Sequence, residues 1–68
     1  MPQFSSIEVH YGLNKEITVT ITHVESNQYK FVTTQMYSKS YVERIITCNS
    51  SQELLLTAQE LACTVSAI

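Results

Sequence analysis

Apolar and polar residues alternate along the first two thirds of the chain, and the period changes in the last third. Ile17, Val19 and Ile21 alternate with Thr18, Thr20 and Thr22. A period of two built from β-branched residues predicts a half-buried strand over 17–24, with the threonines turned to solvent. Upstream, Ile7, Val9 and Tyr11 alternate with Glu8 and His10, which predicts a strand over about 5–11. Gly12-Leu13-Asn14 supplies turn residues between the two. The apolar positions are odd-numbered in both strands. Facing residues must therefore sum to an even number, and the loop must have odd length. A three-residue loop meets this condition. It would set Val9 against Ile17, Ile7 against Val19 and His10 against Glu16.

Glu25-Ser26-Asn27-Gln28 reads as the next turn, followed by a third strand over 29–37. Both of its faces carry apolar side chains. Either Tyr29, Phe31 and Thr33 turn inward, with Ile21 meeting Phe31, or Val32, Thr34 and Met36 do, with Ile21 meeting Val32. After Ser38-Lys39-Ser40, a fourth strand over 41–48 has Val42, Ile46 and Cys48 on one side and Tyr41 and Ile45 on the other. These connections are too short for a parallel crossover, so the strands should form an antiparallel meander.

From Ser50 the spacing becomes helical. Ser50-Ser51-Gln52-Glu53 fits a capping box. Leu54, Ala58, Leu61, Val65 and Ile68 then make an apolar stripe that Leu55 and Ala62 widen. A helix over about 51–67 would be ~25 Å long, enough to cross a small sheet. The expected fold is α+β in one small domain, residues 1–68. It is an antiparallel β-meander of three to four strands with one C-terminal amphipathic helix packed on one face. In the three-stranded version, residues 4–11 are irregular.

Composition narrows what such a fold could do. The chain has 68 residues, a mass of 7.7 kDa and a net charge of −2. Charged residues make up 15%, against ~25% in typical soluble domains. Eight serines and eight threonines take their place. This excludes a strongly basic nucleic-acid module and an acidic charge mimic. Met1-Pro2-Gln3-Phe4-Ser5-Ser6 does not resemble a secretory leader. The longest apolar run, Leu54-Leu55-Leu56, is far short of the ~20 residues a membrane span needs. Two cysteines are too few for a disulfide framework, so Cys48 and Cys63 read as reduced thiols and the expected location is cytoplasmic.

No set of residues points to catalysis. His10 and His23 are the general-base candidates, yet the chain has no Asp, no Gly-rich phosphate loop and no nucleophile elbow. His10, His23, Cys48 and Cys63 lack the paired spacing of a zinc site. The expectation is a non-enzymatic protein with no cofactor and no metal. Cys48, just before the helix, has no second cysteine at redox spacing, and reads as a buried, inert thiol.

Two surfaces remain. Leu56, Cys63 and Ala67 fall on the side of the helix away from its apolar stripe. With Tyr37 and Ile45 they form a candidate interaction surface for a second copy of the chain or for another protein. Tyr29, Lys30, Tyr37, Lys39, Tyr41 and Arg44 interleave aromatics with cations, the alternative being weak binding of single-stranded nucleic acid. Three cations neutralise few phosphates, so this second reading is the lesser one. Whichever face of the last two strands turns inward, the pattern leaves apolar side chains outside, either Phe31, Tyr37 and Ile45 or Val32, Met36 and Ile46. The chain is therefore expected to work as a homodimer or on a partner protein, as an interaction module or regulator.

Overall fold

The structure, a computed structural model, describes residues 6–38 and 41–66. It is a four-stranded antiparallel sheet in sequential order, with one helix on one face. The elements are β1 (Ser6–Tyr11), β2 (Ile17–Glu25), β3 (Gln28–Gln35), β4 (Tyr41–Thr47) and α1 (Ser51–Ser66). The four-stranded version holds, and Ser6–Tyr11 is a paired strand.

The β1–β2 register keeps the expected parity but not the expected pairs. Val9 faces Val19, Ile7 faces Ile21, and His10 faces Thr18 rather than Glu16. The loop has five residues instead of three. Gly12 adopts φ +98° and Lys15 φ +54°, and Lys15 N–H donates to the Gly12 carbonyl at 3.1 Å. The Glu16 carboxylate accepts from Asn14 N–H at 3.0 Å and lies where a Cβ on Gly12 would stand. Two left-handed residues and a side-chain acceptor let a longer loop close as tightly as a shorter one.

The ambiguity in β3 resolves in favour of Phe31. Ile21 pairs with Phe31, and Phe31 pairs with Arg44. One face thus carries Ile17, Val19, Ile21, Phe31 and Thr33, all buried. The other carries Val32 and, one strand over, Ile45. The two sets proposed for the outside are therefore both corrected. Val32 stays out with Ile45, not with Ile46, because the β3–β4 pairs sum to an odd number. The threonines of β2 are half-buried on the open face, as their alternation requires.

Helix α1 begins as its residues dictate. Ser50 Oγ accepts from Glu53 N–H at 3.2 Å, and the Glu53 carboxylate accepts from Asn49 N–H at 2.6 Å. This is the capping box, with its return bond one residue earlier than usual. Ala58, Ala62 and Val65 are buried against the sheet, and Leu54 and Leu61 pack at the margin of the core. The alanines let the helix backbone sit close. Leu55, expected to widen the stripe, is 53% exposed, because the stripe is centred on Ala58 and Leu55 falls at its edge. The helix lies across β1, β2 and β3 and does not approach β4.

Among the described residues Thr33 is the one polar residue in the core, and its Oγ1 has no hydrogen-bond partner among them. It sits between Val19 and Val42. An unpartnered buried hydroxyl carries its full desolvation cost. Thr33→Val should stabilise the domain by about 1 kcal/mol, read as a higher denaturant midpoint at unchanged slope. A lower midpoint would show that the hydroxyl is satisfied.

Candidate functional site

The sheet separates the residues that the sequence pattern grouped together. Two bonds set the pattern. Met36 N–H donates to the Glu16 carbonyl, and Cys48 N–H donates to the Asn27 carbonyl, both at 2.8 Å. Antiparallel bonding alternates from these fixed points. In β1, the backbone groups of Ile7, Val9 and Tyr11 face β2, and those of Ser6, Glu8 and His10 face outward. In β4, those of Val42, Arg44 and Ile46 face β3, and those of Tyr41, Glu43, Ile45 and Thr47 face outward.

The candidate interaction surface divides in two. Leu56, 57% exposed, and Cys63 lie on the outer side of α1. Ile45, also exposed, lies on the open face of the sheet, away from the helix. Tyr37 stands in the turn after β3 and is largely exposed, with Met36 beside it. Ala67 lies outside the described residues. The set is thus two patches: a helix patch to which Leu55 also belongs, and a patch of Met36, Tyr37, Tyr41 and Ile45 around β4.

The aromatic and cationic residues divide as well. Lys30 and Tyr41 are on the open face, whereas Tyr29 and Arg44 are on the helix face. Tyr29 stacks obliquely on His23, with ring centroids 5.1 Å apart. Lys39 lies outside the described residues. No single face gathers these six side chains, so bases stacked on Tyr41 would not meet Tyr29 or Arg44.

The histidines have local partners. His23 Nε2–H donates to the Ser26 carbonyl at 2.7 Å, which closes a turn where Ser26 has φ +46°. His10 Nδ1 lies 3.1 Å from Thr18 Oγ1, and its Nε2 lies 3.8 Å from Glu8. Among the described residues no group of three or more His, Cys, Asp or Glu could hold a metal ion. Tyr11 has its phenol pKa raised above the ordinary value by burial, with a smaller contribution from the Cys63 thiol.

The cysteines differ as their positions demand. Cys48 is buried, its sulfur 3.8 Å from Thr57 Oγ1, and Cys63 is exposed. In dilute solution a thiol reagent should label Cys63 at once and Cys48 only on unfolding. Equal fast labelling of both would show that Cys48 is not in the core.

Sequence patterns did not single out the seam between α1 and β1. Two grooves run along it. One, of about 180 Å³, is lined by Ile7, Ile21, Ser51, Leu54 and Leu55. The other, of about 290 Å³, includes Tyr11, Ile17, Gln59, Ala62 and Cys63. The exposed Ile7 and Leu55 were the available signal, but each reads as core in its own element's period. No described helix is long and apolar enough to cross a membrane. Compared with models of known protein families, with curated proteins and with solved structures, the chain matches none.

Proposed function

We propose that this chain is a small protein–protein interaction module or regulator without catalytic activity, acting as a homodimer or bound to another protein. One observation carries the reading: a single helix covers one face of the sheet over three strands only. Among the described residues, Ile7, Leu13, Met36, Tyr37, Tyr41, Ile45, Leu55 and Leu56 stay more than half exposed. The buried apolar core, eight described residues, is no larger in number than this exposed set. A domain of this size buries only about 60% of its unfolded surface. A partner that binds the folded form alone adds stability by mass action. A two-fold homodimer, using the same patch on both subunits, is the simplest such partner. The reduced thiols and the composition fit a cytoplasmic setting.

Sedimentation equilibrium over a wide concentration range tests this. The expected result is an average mass that rises above 7.7 kDa towards twice that value, with a Tm that climbs with concentration. A mass fixed at the monomer value, with a Tm independent of concentration, would remove the homodimer and leave only capture by a different protein.

A further inference from the structure

We infer that the partner is a second copy of this chain and that it docks on the free edge of β1. There the two β1 strands pair antiparallel about a two-fold axis at Val9 and join two sheets into one of eight strands. This rests on the reading of the chain as a self-associating module.

The edge is open to pairing. Ser6, Glu8 and His10 turn their backbone N–H and C=O groups outward, and β1 pairs with β2 without a bulge. The strand has no Pro or Lys, the residues that commonly protect an edge. Side-chain chemistry then selects a register. Faces must match, so the axis passes through a residue. At Val9, Glu8 of each copy stands opposite His10 of the other, Ile7 opposite Tyr11, and Val9 opposite Val9. Two opposite-polarity pairs form on the open face, and apolar pairs form on the helix face. One step in either direction sets Glu8 against Glu8 or His10 against His10. The Glu8–His10 register also makes those residues the hydrogen-bonded pairs, each exchanging two backbone bonds.

The other edge offers no equivalent. Across β4 the same operation opposes Arg44 to Arg44 or Glu43 to Glu43. Centred on Ile45, it leaves Arg44 facing Ile46 and Glu43 facing Thr47. The helix also stands away from β4, whereas it flanks β1. Pairing at β1 brings both helices to one face of the joined sheet, antiparallel, with the two α1–β1 seams side by side. The groove at Ile7 and Leu55 in one copy then meets the Tyr11 end of the seam in the other. Ile7 and Leu55, 55% and 53% exposed, lie next to this junction.

The test uses the exposed open-face positions of the full chain, where substitutions leave the core untouched. In sedimentation equilibrium, Glu8→Lys and His10→Glu should each weaken the dimer by about tenfold, because each alters two symmetry-related pairs. The double variant, which sets Lys opposite Glu, should restore it. In a Cys63→Ser background, an equimolar mixture of Glu8→Cys and His10→Cys chains should form a mixed disulfide under mild oxidation. Either chain alone should not, since two residues out of register the Cα atoms stand beyond the ~7 Å that a disulfide spans. A dimer unmoved by the single variants, with no mixed disulfide, would overturn this interface and leave self-association to another surface. A chain that is monomeric at every concentration would overturn the inference and the homodimer together.

Discussion

Phe31→Ala should leave the chain largely unfolded at room temperature. Phe31 is fully buried, in line with Ile21 and beneath the helix at Ala58. Truncating a buried Phe removes its transfer energy and leaves a cavity, at a typical cost of about 3–5 kcal/mol. A single core in a chain this short supplies about that much in all. Relaxation offers little relief, because Phe31 is paired on both sides and its neighbours are held by the sheet. The measurement is the far-ultraviolet circular dichroism spectrum with its thermal transition, beside amide dispersion by NMR. Phe31→Leu keeps most of the volume and should still melt cooperatively. A cooperative Phe31→Ala protein within 1 kcal/mol of the parent would show that the core is centred elsewhere.

β2 and the helix were legible because each has one dominant period. In β2, Ile17, Val19 and Ile21 are buried and the threonines between them are not. In α1, Ser50 and Glu53 mark the start, and Ala58, Ala62 and Val65 mark the inward side. Parity read from β1 and β2 survived even though the loop length did not. The five-residue loop depends on left-handed backbone at Lys15 and on the Glu16 carboxylate, and neither leaves a mark in an apolar pattern. Strand β3 was legible as a strand but its inward face was not, because Phe31 and Val32 are both apolar and lie on opposite faces. Only the pairing with Ile21 and Arg44 distinguishes them. The same loss of register information misgrouped the surfaces. Ile45 and Leu56 are both exposed, yet they stand on opposite sides of the molecule. The α1–β1 seam was hidden for a different reason. It is made by two elements far apart in sequence, and its exposed members, Ile7 and Leu55, look like core residues within either element alone.

The close seat of the helix gives the second large effect. Ala58 is fully buried and Ala62 nearly so, which places the helix backbone rather than long side chains against Val19 and Phe31. Ala58→Leu inserts three carbon atoms where none fit. The helix must lift or tilt, and every contact of Leu54, Leu61 and Val65 loosens with it. Overpacking of this kind costs about 1–3 kcal/mol. Leu is nearly as good a helix former as Ala, so the loss reports packing and not propensity. For a domain of this length each kcal/mol lowers Tm by about 4–8 °C, so the expected drop is on the order of 10 °C or more. Thr64→Leu, on the exposed surface of the same helix, adds the same kind of side chain without touching the sheet and should leave Tm within a few degrees. If Ala58→Leu melts with the parent, the helix does not rest on the sheet at Ala58. The seam with β1 would then have no fixed wall, and the joined dimer would rest on the β1 edge alone.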